Sequence, residues 1–526
     1  MQTLTSQPSS NTQVPVVHNL SDAFKWNHHV ISKIKRSDDG EDCDSPGWNM
    51  FLNHCSDSTY STSCSGVDAP AAAISDLHWA TISAAATHSR IVMPRCLFAI
   101  EWDKSCQDEL AVLHRTHAAS AGHSHGVSTG LHSEACRFGD LAGFFDSSVT
   151  ELLPTLMERP EIALEALCPL IKQNRGMRDH SPCLTHNKMC KVKAACRHIA
   201  GTSCTAWSAQ GANAGEYDST VIYFVAWCGM RRMLQEPLVI YENVRSKKLL
   251  SVLTEMLSDI YWVDDVGYLC PNQQGFPGER ERQYVLMRHR SKIASLVDPL
   301  SNFSKRVRRE CACTFREYFW QHTVDPEFAA NDSTIPFELE SDRKWVASRK
   351  TVPRHNVPHG APATDLYLNS LTSMERMHLE LYKENRHDTD HVFQLNQHGR
   401  DRPIHSHGPL LMTLIRNMGI CWTAAVQPAR WMSGSEALCA MGFRLAPCAR
   451  VPYVQCSFQV RRTGRTARVC RQQAGNTMHV SSIGVVLAHS FANVVFQIDD
   501  THSVVGSSLF LNIMRLRRGT TAKALL

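Results

Sequence analysis

The chain has 526 residues, 43% of them hydrophobic, which gives room for two or three compact domains around a large core and excludes a small peptide module. Lys+Arg 55 against Asp+Glu 50 leaves a formal charge of +5, which permits nucleic acid without demanding it and rules out an acidic tail. The 20 cysteines form no regular framework, and there is no signal-peptide pattern and no apolar run of spanning length, so the expectation is free thiols in a reducing, intracellular compartment with no membrane anchor.

Residues 1–45, rich in Ser, Gln, Asn and Asp, read as a mobile segment. From Ser61 to His289, short apolar runs alternate with helical periodicity, which predicts an α/β domain with a doubly wound, mostly parallel sheet. A helix is expected over Ala71 to His88, then a strand over Arg95 to Ile100 that ends at Glu101. Val221, Phe224, Val225 and Cys228 share one helix face, and Pro237 to Tyr241 reads as a buried strand ending at Glu242. Leu249, Leu253, Met256, Leu257 and Ile260 mark the next helix, followed by strands at Tyr261 to Leu269 and Arg282 to Met287. Beyond Leu300 the alternation weakens, Pro, His, Asp and Asn gather through Thr323 to His407, and Leu371 to Glu384 is a helical patch in a separate, irregular module. Periodicity returns near Leu410 and again from Gly475 to Ser490, where a Gly-Asn step opens an apolar helix; no internal repeat is present.

Two features point to chemistry. Gly201 to Gly211 is a small-residue loop before a helix, and it carries Cys204, a candidate thiolate nucleophile whose structural alternative is a buried thiol. Glu242-Asn243-Val244 closes the following strand, at the end of a sheet where such folds bind ligands, unless Glu242 only caps the next helix.

A Cys-loop, a helix and a strand ending in Glu-Asn-Val, in that order, resemble the cytosine-C5 DNA methyltransferase family. The resemblance implies a sheet of the S-adenosylmethionine-dependent methyltransferase type. It makes Cys204 the nucleophile that adds to C6 of cytosine, with Ser208 and Gly211 as the small residues that follow it, and Glu242 the group that engages N3. Arg280-Glu281-Arg282 before Tyr284-Val285-Leu286 resembles the family's paired-arginine strand, whose Arg280 and Arg282 would hold a flipped base and the thiolate loop. Arg430, Glu436, Gly442 and Phe443 match its Arg-x5-Glu-x5-Gly-Phe element, and Gln473 to Thr477, with Asn476, its last, cofactor-closing element. Upstream, Cys64 to Pro70 resembles the first cofactor loop, with Ser65, Gly66 and Val67 at the cofactor. Glu101 stands where a carboxylate accepts from ribose hydroxyls, and Asp140 in Phe138-Gly139-Asp140-Leu141 where an aspartate meets the adenine amino group. An exposed turn residue is the alternative for Asp140.

The likeness spans Cys64 to Val486 and is closer to a divergent branch from unicellular algae such as dinoflagellates in Phe315 to His322 and Leu410 to Thr423. It implies a catalytic domain at 46–300, a target-recognition domain at 301–425, a return segment at 426–490 and a tail at 491–526. S-adenosylmethionine would be the cofactor, DNA with a flipped cytosine the partner, and the nucleus the location in a eukaryote. The chain departs from the family where Ser203 and Thr205 replace the Pro and Gln flanking the nucleophile, where Asp68 replaces a glycine, and where Gly278 replaces a glutamine. RNA, such as tRNA, remains an alternative substrate, and a catalytically silent nucleic-acid-binding protein an alternative function.

Neither Cys183, His186, Cys190, Cys196 and His198 nor His114, His117, His123 and His125 matches a standard zinc pattern, so no metal is assigned to the active site, and a structural zinc near Cys183 to His198 stays open. Lys305, Arg306, Arg308 and Arg309, and Arg461, Arg462, Arg465 and Arg468, are candidate phosphate contacts. Phe315, Tyr318, Phe319 and Trp320 read as core rather than as a stacking platform.

Overall fold

A computed structural model describes residues 14–36, 45–56, 58–85, 91–123, 134–208, 214–320, 378–379, 391–395, 409–416, 420–423, 430–449 and 467–497. Strand Val16–Val17 (β1) and helices Leu20–Ala23 (α1), Trp26–Lys35 (α2) and Pro46–Ser56 (α3) precede strand Thr59–Ser63 (β2) and helix Ala69–Ala84 (α4). Strand Arg95–Ile100 (β3), helix Lys104–His123 (α5) and strand Cys136–Phe138 (β4) follow. Helices Ser147–Thr150 (α6), Leu153–Glu158 (α7) and Ala163–Lys172 (α8) lead to a hairpin of His180–Cys183 (β5) and Lys188–Lys191 (β6). Arg197–Ala200 (β7), Thr220–Leu234 (α9), Leu238–Asn243 (β8), Lys247–Leu257 (α10), Tyr261–Leu269 (β9) and Arg282–His289 (β10) come next. Then come Ile293–Leu296 (β11), Leu300–Arg306 (α11) and Glu310–Cys311 (β12), and the short strands His391–Gln394 (β13), Ile420–Thr423 (β14) and Arg430–Trp431 (β15). Helices Gly434–Ala440 (α12), Ala467–Asn476 (α13) and Val480–Asn493 (α14) and strand Val494–Phe496 (β16) close the described chain.

One nine-stranded sheet runs β6-β5-β4-β3-β2-β7-β8-β10-β9. Its centre, β4 through β8, is parallel, while β10 is antiparallel to both neighbours and the β5–β6 hairpin adds an antiparallel edge. The chain steps outward from β2 to β3 and β4, then returns to lay β7 on the other side of β2. That reversal opens a crevice at the carboxyl ends of β2 and β7. This is a doubly wound, mostly parallel α/β sheet, as the sequence pattern predicts.

Strand periodicity places the two cores. Along β8, Leu238 and Ile240 join one apolar cluster and Val239 and Tyr241 the other; along β10, Tyr284 and Leu286 oppose Val285 and Met287 in the same way. The predicted α9 face, Val221, Phe224, Val225 and Cys228, is buried on one side of the sheet, and α14, buried along its whole length, covers the other. No helix among the described residues is long and apolar enough to cross a membrane.

Several expectations change. Residues 14–36, expected to be mobile, are part of the core: Phe24, Trp26, Val30 and Ile31 are buried, and β1 pairs with β12. The apolar face of α2 is broken up in sequence by Asn27, His28 and His29, which hid it. Gly475 and Asn476 end α13, and the apolar helix begins at Val480. Phe491 to Phe496, assigned to a tail, complete α14 and a strand paired with β11, while residues 498–526 lie outside the described residues. Residues 301–320 pack on the main body, with Phe315, Tyr318 and Phe319 buried as expected. Of the irregular module, the described pieces include β13 and β14, which form an antiparallel sheet with β15 of the return segment, whereas the patch Leu371 to Glu384, apart from His378 and Leu379, lies outside the described residues. Arg309 is no phosphate contact: it is buried and donates to the Ala23 and Asp22 carbonyls, while Arg306 pairs with Asp298 at 3.2 Å. Arg461, Arg462, Arg465 and the side chain of Arg468 lie outside the described residues.

The Trp26 indole fills the space that the missing side chain of Gly484 leaves on α14, where a Cβ would come within 2.0 Å of Cη2. Trp26→Ala is expected to cost about 3–5 kcal/mol in urea unfolding, the range for emptying a buried aromatic site. A cost below ~1 kcal/mol would mean that this segment is not part of the folded core.

Candidate functional site

The crevice is rimmed by the loops that leave β2, β3, β4, β7 and β8. After β2 the backbone turns through left-handed conformations at Cys64, Gly66 and Asp68, with φ of 53°, 65° and 61°. Gly66 is obligatory there, because a Cβ would lie 3.0 Å from the Asn476 carbonyl oxygen and 3.1 Å from Thr477 Cα. The Thr477 hydroxyl donates to Ser65 O at 3.2 Å, so residues 65–66 and 476–477 form one surface. Ser65 and Val67 are buried, and the Ser65 hydroxyl has no partner among the described residues.

Asp68, which stands where the resemblance expects a glycine, turns away from this surface. Its carboxylate caps α4 through Ala71 N–H at 3.4 Å and meets His114 Nε2 at 3.0 Å, both side chains being fully buried. Burial opposes charge on His114, but the neighbouring Cys96 and Asp68 outweigh it and hold the imidazole pKa up, at about 10. The histidine therefore balances the added carboxylate. The side chains of His117 and His123, and all of His125, lie outside the described residues.

Glu101 follows β3 as expected. Its Oε2 accepts from Gly66 N–H at 3.0 Å and its Oε1 from Asp103 N–H at 3.1 Å, which leaves further lone pairs on a buried carboxylate. Burial pushes its pKa up to about 7 against these hydrogen bonds. Asp140 stands at the end of β4, exposed, and caps the turn Leu141–Phe144 through Ala142 N–H at 3.0 Å.

Parallel pairing of β7 with β8 aligns Ala200 with Tyr241, so the chain after Ala200 and the carboxyl group of Glu242 emerge side by side. A Cβ at Gly201 would lie 2.9 Å from Glu242 Oε2 and 2.8 Å from Met478 Cε. Glycine lets the loop and the carboxylate approach this closely. Thr202 Oγ1 and Tyr241 OH are 2.6 Å apart, and Asn243 Nδ2 donates to Thr202 O at 3.0 Å, tying the start of the loop to the neighbouring strand. Cys204 is exposed in a turn whose carbonyl accepts from Trp207 and Ser208 N–H at 3.0 and 2.9 Å. Ser203 Oγ accepts from Thr205 N–H at 3.3 Å and lies 2.8 Å from Thr205 Oγ1, so the two departures flanking Cys204 supply a local turn of their own. Gly211 lies outside the described residues.

Glu242 is not a helix cap, because Ser246 Oγ caps α10 through Leu249 N–H. Burial raises the Glu242 pKa, while Arg282 and then Arg280 pull it back. Arg282 Nε lies 3.4 Å from Glu242 Oε1. Arg280 donates to Leu414 O at 2.7 Å, Thr477 O at 2.9 Å and Gly475 O at 3.5 Å, and thus fastens the segment before β10 to residues 475–477. Burial lowers its pKa to about 10; Arg282 adds to that, and the nearby Glu242 and Cys204 oppose it. Arg280, expected to hold a flipped base and the thiolate loop, is a clamp on backbone carbonyls near Glu242 and Cys204. Glu436 is spent on a capping box with Ser433, and Gly442, at φ 88°, lets Met441 O accept from Val480 N–H at 2.9 Å.

Sequence reasoning missed Asn243, Tyr241 and Thr202 as loop anchors and His114 as the partner of Asp68. The Glu-Asn step was the available signal for the first; the second is a contact across 46 residues with none.

No family model matches the chain, and none of the curated proteins does. Among solved structures, it is similar to a candidate DNA modification methyltransferase encoded within an E. coli prophage, at 11% identity and a TM-score of 0.39, over 83% of this chain and 99% of that one. It is similar to S. pombe Dnmt2 methyltransferase at 12% identity and a TM-score of 0.37, over 83% and 98%. It is also similar to the Entamoeba histolytica methyltransferase EhMeth at 10% and 0.37, over 83% and 98%. Likenesses this distant leave the site to be read from its own residues.

A carboxyl group whose pKa is raised by folding costs no stability below the unfolded value, near pH 4. It costs progressively more as pH rises toward the folded value, because the unfolded chain releases the proton first. Glu242→Gln, which mimics the protonated form, is therefore expected to raise the thermal midpoint at neutral pH and leave it unchanged near pH 4. A lower midpoint at pH 7 would show that the ion pair with Arg282 dominates.

Proposed function

We propose that this chain transfers a methyl group from S-adenosylmethionine to C5 of cytosine in DNA, with Cys204 as nucleophile and Glu242 as the acid at N3. The observation that carries this reading is the convergence at Gly201: the loop bearing Cys204 leaves one parallel strand against the carboxyl group that ends the next, on the rim of the switch-point crevice.

The residues around the crevice suit the cofactor. The flat turn at Gly66, the unpartnered buried hydroxyl of Ser65 and the lone pairs of Glu101 fit a ligand rich in hydroxyl and amino groups, with Val67, Asp140 and the Asn476 backbone beside them. When bound, the cofactor supplies an electrophilic methyl group.

Cytosine C5 is too poor a nucleophile to take that group unaided. Cys204, as thiolate, adds its electron pair to C6 of a base swung out of the helix, and Glu242, whose pKa burial raises against the pull of Arg282 and Arg280, gives its proton to N3. The electron pair displaced from C5–C6 onto C4–C5 would then take the methyl group at C5, and the bonding pair that the methyl leaves behind would stay on the cofactor's sulfur, which departs as a neutral thioether. Loss of the C5 proton to water restores the double bond, expels the thiolate, and returns the N3 proton to Glu242. Arg282 positions the Glu242 carboxyl group, and Arg280 holds the backbone behind it.

Labelled-methyl transfer assays on DNA and tRNA test this. Cys204→Ala is expected to abolish incorporation, and Glu242→Gln to lower it by about 10²–10⁴-fold, the scale of a lost general acid. Undiminished transfer by Cys204→Ala rejects the nucleophile, and label on tRNA alone reassigns the polymer.

Cofactor affinity should also follow Glu101. As pH falls through about 7 the carboxylate takes a proton and becomes a poorer acceptor for ribose hydroxyls. Calorimetry should show Kd for S-adenosylmethionine rising by up to about tenfold from pH 8 to 6, with Glu101→Gln weak and flat across that window. A pH-independent wild type would remove Glu101 from the cofactor contacts.

A further inference from the structure

At the edge of the sheet away from β9, the β5–β6 hairpin has almost no apolar core. Its strands read exposed-buried-exposed-buried and exposed-exposed-intermediate-exposed, and Met189 stands out in solvent. A two-stranded hairpin with so little burial is marginal in water. Its ladder with β4 is a single residue pair, Phe138 with Cys183, backed by hydrogen bonds from Leu184 N–H to Arg137 O at 2.7 Å and from Thr185 Oγ1 to Ala135 O at 2.9 Å, so something other than hydrophobic packing holds it there.

Four side chains meet at this point. Cys136 comes from β4, Cys183 ends β5, His186 sits in the turn, and Cys190 comes from β6; their ligand atoms all lie within 4.8 Å of one another. His186 Nδ1 is 3.5 Å from Cys136 Sγ, 3.3 Å from Cys183 Sγ and 3.6 Å from Cys190 Sγ. Around a tetrahedral zinc ion with Zn–S of ~2.3 Å and Zn–N of ~2.05 Å, each S···N edge would be ~3.5 Å, which is the spacing found. Three sulfurs cannot all pair as disulfides, whereas a four-ligand ion uses every one of them. Asn187, at φ 50°, donates its N–H to Cys183 O at 2.9 Å and closes the turn.

We propose that Cys136, Cys183, His186 and Cys190 bind one zinc ion through three thiolates and the imidazole Nδ1, as a structural site that staples the β5–β6 hairpin to β4. All four positions are taken by protein, so the site has no open coordination for catalysis. Its place follows from the fold: β4 runs directly into Gly139 and Asp140 at the crevice rim, so an ion here fixes the strand that presents that loop. Cys196 and His198, close by in sequence, belong elsewhere. Cys196 lies beside Thr59, and His198 is a core imidazole that accepts from Trp227 Nε1–H at 3.1 Å and so donates through Nδ1 to Ser61 Oγ at 2.8 Å.

The full chain, purified under reducing conditions from zinc-supplemented cells and dialysed against metal-free buffer, is expected to carry about one zinc per chain by elemental mass spectrometry, with a three-sulfur, one-nitrogen shell in X-ray absorption. His186→Cys should keep the zinc with four sulfur neighbours, and Cys183→Ser with Cys190→Ser should lose it, even if that variant is less stable. A reduced wild type that holds no zinc and develops no tetrahedral thiolate–cobalt bands when titrated with Co(II) overturns the proposal. So does zinc retained by the double variant, or a sulfur-poor shell.

Discussion

The parallel pairing of β2 with β7, where the order of strands reverses, is the constraint on which the site depends. It forces the loops after Ser63 and Ala200 to leave the sheet side by side, and the Gly201 N–H donates to Ser63 O at 3.2 Å across that gap. Every other feature of the crevice is arranged around this junction. β3 and β4 carry Glu101 and Asp140 to one side, and β8 carries Glu242 to the other. The absence of a side chain at Gly66 and at Gly201 is what lets the neighbouring segments close in on it.

The rear of the junction is held from far along the chain. α14 lies against α3 and α4, its Gly484 receives the Trp26 ring, and the guanidinium of the buried Arg197 at the start of β7 donates to the Ser490 hydroxyl and to the Ser490 carbonyl, each at 3.2 Å. Arg444 ties α4 to the turn between α1 and α2 by meeting Asp76 at 2.8 Å and the Phe24 carbonyl at 2.7 Å. These arginines are buried with partners, so removing one partner is costlier than the pair is stabilising.

How legible this was depended on how local the signal is. β8 and β10 were readable because aliphatic runs bounded by turn residues specify buried strands without help from elsewhere. The central strand β2, Thr-Tyr-Ser-Thr-Ser, carries hydroxyls where an inner strand usually carries aliphatics. The Ser61 hydroxyl is paired with a histidine from the neighbouring strand, a contact across 137 residues. Cys204 and Glu242 could be named because each sits in a short recognisable string, and the distant resemblance supplied their order. The clamp role of Arg280 could not be read, since its acceptors are backbone carbonyls at residues 414, 475 and 477, and carbonyls leave no trace in composition. Cys136 escaped for a similar reason: its fellow ligands cluster far downstream, and only the pairing of β4 with β5 brings it to them.

The contact between Ser65 and Thr477 spans 412 positions in the chain. During synthesis, at roughly 5–20 residues per second, the segment holding Ser65 and Gly66 waits for tens of seconds before its counterpart is made. Throughout that time the half-built sheet exposes the apolar surface that α14 will cover.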